Sequence, residues 1–170
     1  MITIPDPMRT RVIVAAAALL LVCTVVAVGV NASGSDPEAG DNLAFASAGS
    51  TDEAIQAGTA AARRIFTIRP DKVKATERRA RRLLEGDAVD QYDRLYGPHL
   101  KRARQQGLTL TTTVRDVGVV WLRSDEAELL VFADQAASTT SGQSAVGPAQ
   151  LVLRLRRADE GWKVSDIRLL

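Results

Sequence analysis

Four side chains in this sequence are of types suited to acid–base work: Asp134, His99, Tyr92 and Tyr96. Proton transfer in a pocket needs a buried acid or base facing an apolar cavity, where desolvation tunes its pKa. Asp134 follows an apolar stretch, His99 follows Pro98, and the two tyrosines are four residues apart, the spacing of one helix face. Each also has a plainer reading. His99 is a polar residue near a helix start, and the tyrosines are core residues whose hydroxyls reach the rim. Asp134 stands at a strand end, where it can pin the following loop. Nothing in the spacing forces the four together, so the sequence predicts a protein that is not an enzyme.

Other chemistry is excluded more firmly. A single histidine, His99, removes every metal site that needs two. A single cysteine, Cys23, leaves no intramolecular disulfide. No phosphate loop or paired-cysteine metal motif is present, and residues 142–147 miss the nucleophile-elbow spacing. Aromatic residues make up 4% of the chain, too few for a stacking surface on nucleic acid. No cofactor is expected.

A second set of residues points to binding. Lys72, Lys74, Arg78, Arg79, Arg81 and Arg82 crowd one predicted helix, although the whole chain carries only +2. Such a run is either a solvated face whose arginine stems cover apolar surface or a contact with anionic lipid headgroups or an acidic partner.

The elements that position these residues follow from hydropathy. Residues 12–30 (VIVAAAALLLVCTVVAVGV) run nineteen positions without a charge. As a helix they span ~28 Å, close to the ~30 Å hydrocarbon core, which predicts a retained single-pass membrane anchor. Arg9 and Arg11 precede the span, whereas Asp36, Glu38 and Asp41 follow it and no Lys or Arg appears before Arg63. The charge bias puts the tail, residues 1–11, in the cytoplasm and everything after the span outside. A cleaved signal peptide would send the domain to the same side. Cys23 lies within the span and reads as a small helix-packing residue. Residues 31–50, rich in Gly, Ala, Ser and Asp, read as a flexible linker to a domain over 51–170.

In that domain, Ser50 and Glu53 have capping-box spacing, and a helix is expected from there to a stop before Pro70. A second helix is expected over 71–85. A third begins near Asp87, breaks at Gly97-Pro98, restarts and ends at Gly107. From Leu108 the period becomes two. A long strand with a bulge at Gly118, a strand over 127–135, a loop over 136–147, a strand over 149–157 and a last strand over 162–170 complete the reading. Helices followed by consecutive strands make an α+β fold with a four-stranded antiparallel meander curved over about three helices.

With tail, span, linker and domain in this order, the chain resembles the Mce-associated membrane proteins of actinobacteria. Those proteins accompany the mammalian-cell-entry lipid importers. The stretches that carry the resemblance are residues 128–135 (ELLVFADQ) and 161–166 (GWKVSD). The resemblance implies a nuclear-transport-factor-like, SnoaL-like domain with a ketosteroid-isomerase-like cone. It also implies an accessory role in assembling a lipid or sterol transporter of the cell envelope, with transporter subunits as partners. The architecture also resembles the inner-membrane scaffold subunits of type IV secretion machines.

Overall fold

The computed structural model describes residues 42–45 and 47–170. The expected membrane span, Cys23, the tail and most of the expected linker lie outside these residues. Among the described residues no helix is long and apolar enough to cross a membrane.

A 3-10 turn at Leu43–Phe45 leads into helix α1 (Ala48–Phe66). Ser47 caps this helix: its backbone is extended and its hydroxyl accepts from the Ser50 amide at 3.4 Å. The helix thus starts ahead of the expected Ser50 cap, and Glu53 is free for a distant partner. Its carboxylate takes both guanidinium nitrogens of Arg157 at 2.9 Å and the Trp162 indole N–H at 3.2 Å. After α1 the backbone turns extended at Thr67, and Arg69, the residue that Pro70 constrains, is extended as well. A second 3-10 turn, Pro70–Lys72, precedes α2 (Val73–Leu83).

Helix α3 (Asp87–Gln106) departs from expectation. It runs unbroken through Pro98 instead of restarting there. Proline removes one backbone bond and costs about 3 kcal/mol in a helix interior. Here Tyr92 and Tyr96 on one side of it and Leu100 and Ala103 on the other form a single buried stripe, while Pro98 itself is exposed. Burial of that stripe offsets the lost bond. Gly107, at φ 63°, ends the helix as expected.

Four strands follow: β1 (Thr109–Leu122), β2 (Glu126–Ser138), β3 (Ser144–Ala158) and β4 (Gly161–Leu169). They form one antiparallel sheet in sequence order, the expected meander. Two details differ. The bulges in β1 fall at Arg115 and Val120, on either side of Gly118, which pairs with Leu130 in regular register. The expected loop over 136–147 shrinks to a turn over 139–143, because Ala136, Ala137 and Ser138 pair with Val146, Ala145 and Ser144. Ser and Thr tolerate strand geometry, and Gly142 at φ 82° supplies the reversal. Pro148 is admitted to β3 because β4 pairs with that strand only from Leu151 onward, which leaves proline on an edge.

The connecting segments occupy the sheet edges. Ile68 exchanges backbone hydrogen bonds with Leu110 on β1 at 2.7 and 3.0 Å. The Asn42 side chain accepts from the Leu122 amide at 2.9 Å. At the other edge Glu85 N–H donates to the Val164 carbonyl at 2.9 Å, and Gln91 Oε1 accepts from the Ile167 amide at 2.7 Å.

The core lies between the inner sheet face and the helices. Leu129, Val131, Leu151, Leu153, Leu155 and Val164 meet Ala54, Ala61, Ala62, Ile65 and Phe66 of α1, all buried. At Gly58 the helix backbone lies close against the sheet's side chains. A Cβ at that position would collide with Leu129 Cδ1, with Leu155 Cδ1 just beyond. Gly58→Ala is therefore expected to destabilise the domain by about 1–3 kcal/mol despite alanine's higher helix propensity. The denaturant midpoint of the variant checks this; an unchanged or raised midpoint would mean that the helix stands off the sheet.

Candidate functional site

Helix α3 turns Tyr92 and Tyr96 into the core, where their rings stack at 5.5 Å and an interplanar angle of 3°. Tyr96 also packs on Phe66 at 4.9 Å and on His99 at 5.5 Å. A buried polar thread runs from this point into the sheet. Gln135 Nε2 donates to the Tyr96 hydroxyl at 2.8 Å and to Thr112 Oγ1 at 3.3 Å. Thr112 in turn donates its hydroxyl to the Phe66 carbonyl at 2.8 Å, and its amide donates to Thr67 Oγ1 at 3.2 Å. The thread ties the end of α1 and the middle of α3 to β1 and β2. Thr112 and Gln135 were not singled out from sequence. Both are in phase with inward apolar positions, Leu110 on β1 and Val131 and Ala133 on β2, and that phase is the signal that marks them.

The same alternation separates Asp134 from the tyrosines. It is out of phase with Gln135, and so projects from the opposite face of the sheet. There it pairs with Arg115 at 2.7 Å. Of the four expected acid–base residues, Tyr92, Tyr96 and His99 come together and Asp134 does not. Among the described residues neither Tyr92 nor His99 is poised as a base with an acid partner. The Tyr92 phenol is pushed up to about 12 by burial first, with the Glu77 carboxylate adding to the effect. Among the described residues its hydroxyl has no hydrogen-bond partner. His99 is half-buried, and burial, with the Arg102 charge second, lowers its pKa below the ordinary value. Where a cavity would be needed, side chains pack instead: Tyr92, Phe66, Ile65, Leu129, Leu151, Leu153 and Leu155 are all within 2% of complete burial. Among the described residues no cluster of three His, Cys, Asp or Glu side chains is placed to hold a metal.

Two surface depressions lie over α2. One, of about 420 Å³, is lined by Arg64, Arg79, Arg82 and Leu83. The other, of about 590 Å³, includes Lys72, Lys74, Arg78 and Arg104. Five of the six expected basic contact residues thus border concave surface. The sixth, Arg81, is engaged within the fold, with Asp93 at 2.8 Å and Glu77 at 3.4 Å.

Two consequences can be measured. Tyr92→Phe removes a buried hydroxyl without a protein partner, so it should leave stability unchanged or raise it by about 1 kcal/mol, whereas Tyr96→Phe should lower it by about 1 kcal/mol. Equilibrium denaturation of both variants checks the ordering. The lowered pKa of His99 makes the unfolded chain bind the proton more readily than the native one. Stability from this residue is therefore complete above the unfolded pKa and declines as pH falls through it toward the folded value. His99→Gln should flatten the fall in denaturation midpoint between about pH 7.5 and about pH 5.5.

No family model matches the sequence, and no curated protein matches it. Solved structures do. A periplasmic fragment of TraM is 12% identical with a TM-score of 0.62, the match covering 71% of this chain and 97% of that one. CagV, a VirB8 homolog of the type IV secretion system of Helicobacter pylori, is 11% identical with a TM-score of 0.58, covering 69% and 96%. An IcmL-like type IV secretion system protein of Legionella pneumophila is 8% identical with a TM-score of 0.62, covering 70% and 91%. At these identities the likeness establishes architecture, and the described domain has the nuclear-transport-factor-like fold: three helices packed on a four-stranded antiparallel sheet.

Proposed function

We propose that this chain is a non-catalytic, membrane-anchored scaffold subunit of a multiprotein assembly in the cell envelope, of the type IV secretion kind. The observation that carries the reading is the packed interior. The space between helices and sheet is filled by Tyr92, Phe66 and the inward leucines, so the domain offers partners its surface and offers a substrate no cavity there. Isomerases and dehydratases of comparable architecture need that space for an acid or base facing substrate, and Asp134 faces the other way. The likeness to TraM, CagV and the IcmL-like protein, a periplasmic fragment and two type IV secretion proteins, supports the same reading.

The anchor reading agrees with it. With residues 12–30 in the bilayer and Arg9 and Arg11 on the cytoplasmic side, the domain faces the extracytoplasmic space. A second reading, an accessory subunit of an Mce-type lipid importer, rests on the stretches in 128–135 and 161–166. These lie in β2 and β4, where they alternate between core and surface and so serve the fold whatever the partner.

Purification of the full chain from membranes in a mild uncharged detergent tests both. Co-isolation of subunits of one secretion machine is the expected result. Mce-type transporter subunits in their place would move the assignment to the second reading, and recovery of the chain alone would overturn the scaffold role.

A further inference from the structure

The basic residues of this protein are segregated. Between residues 63 and 82 nine Lys and Arg stand against Asp71 and Glu77 alone, a net +7, which leaves the rest of the chain at −5 against a total of +2. The fold concentrates this charge further. Glu77 is turned toward Arg81 and Arg104, at 3.4 and 3.1 Å, and Asp93 takes Arg81. Among the described residues Asp71 pairs with Arg69, at 3.7 Å. The neighbouring carboxylates are thereby spent, while Arg64 from α1 and Arg79 and Arg82 from α2 line one depression with Leu83 and no acidic residue. None of these three guanidiniums has an ion pair or side-chain hydrogen bond within the described domain. On the sheet, by contrast, Arg115, Arg154, Arg156, Arg157 and Arg168 each meet a carboxylate within 3.0 Å.

We propose that this depression binds a phosphate group. Three arginines that line one depression from two helices repel one another, and an anion between them relieves that repulsion. Guanidinium offers paired N–H donors that match tetrahedral oxyanions, and the choice of arginine at all three positions fits that geometry better than a diffuse positive surface requires. Leu83 on the wall adds an apolar contact suited to the carbon portion of an organic phosphate. The second depression, with Lys72, Lys74, Arg78 and Arg104, extends the positive field and would raise the local concentration of such anions. The phosphate can come from a lipid headgroup of the membrane to which the chain is tethered or from a soluble phosphate, and both present the same chemistry to the three arginines. The assignment goes beyond the scaffold reading and does not need it.

Unfolding of the full chain in uncharged detergent, followed through Trp121 and Trp162 fluorescence, tests the site. Inorganic phosphate should raise the midpoint saturably, by about 3–6 °C at ten times its dissociation constant, and chloride at matched ionic strength should not. The double variant Arg79→Gln/Arg82→Gln should lose that gain and, in low salt without phosphate, unfold at a higher temperature than the parent because the repulsion is relieved. The double variant Lys101→Gln/Arg102→Gln, an equal loss of two charges from α3, should keep the gain. In nanodiscs, a higher midpoint with phosphatidylglycerol than with phosphatidylcholine alone, abolished by the double variant, identifies the headgroup as the source. A response to free phosphate without a response to phosphatidylglycerol identifies a soluble ligand. A phosphate effect equal to that of chloride, or one that survives in the double variant, overturns the proposal. So does stabilisation by polyglutamate without stabilisation by phosphate, which would make the surface a seat for an acidic polypeptide.

Discussion

The close approach of α1 to β2 at Gly58 governs much of what this domain can and cannot do. Over Ala54, Gly58, Ala61 and Ala62 the buried side of α1 is made of small residues and comes nearer to the sheet than larger ones would allow, before Ile65 and Phe66 fill its last turn. At that distance the leucines of β2 and β3 reach the helix backbone and fill the interior. The same architecture with a bulkier helix face would hold the layers apart and open a chamber. Here the small residues close it, and the polar thread of Tyr96, Gln135 and Thr112 knits α1 and α3 to the sheet. Chemistry that would need a chamber is displaced to the outside of the molecule.

On that outside, charge is handled in two ways. The outer sheet face is neutralised locally: Glu128 takes Arg154 and Arg168, Glu126 takes Arg156, and Asp134 takes Arg115. Exposed pairs of this sort contribute about 0–1 kcal/mol each, so their effect is chiefly to cancel the field of that face. Helix α2 is treated in the opposite way, its acidic neighbours drawn off to one side. The contrast separates a quiet surface from a strongly electropositive one on the same small body.

Much of the fold was legible from residue pattern. The change of period at Leu108, Pro70, Gly107 and the turn at Gly161 all marked boundaries that the structure keeps, and the meander followed from short connections. The exceptions have local causes. Pro98 looked like a break because proline lacks a donor, but the buried stripe on both sides of it outweighs one lost bond. The tract after Gln135 looked like a loop because it is rich in Ser, Thr and Gly, yet its backbone completes a ladder already begun. Ser50 resembled a cap, and Ser47, one turn earlier, takes the position. The site was harder to read. The tyrosine pair followed from helical spacing, but the inward place of Gln135 and the outward place of Asp134 depend on strand phase, which a shift of one residue inverts. Why Arg64 joins Arg79 and Arg82 was not visible at all, since the first lies on a different helix.

The sheet edges carry one more implication. Because the Leu110 amide and carbonyl, the Leu122 amide, the Val164 carbonyl and the Ile167 amide are already engaged by the chain's own connecting segments, a visiting polypeptide cannot simply extend the ladder there. Recruitment by backbone zippering, which is indifferent to sequence, is blocked at these positions, whereas β3 before Leu151 is not covered by β4 and keeps an edge. Where the margin is covered, association is read out through side chains, so that a neighbour's identity is checked residue by residue.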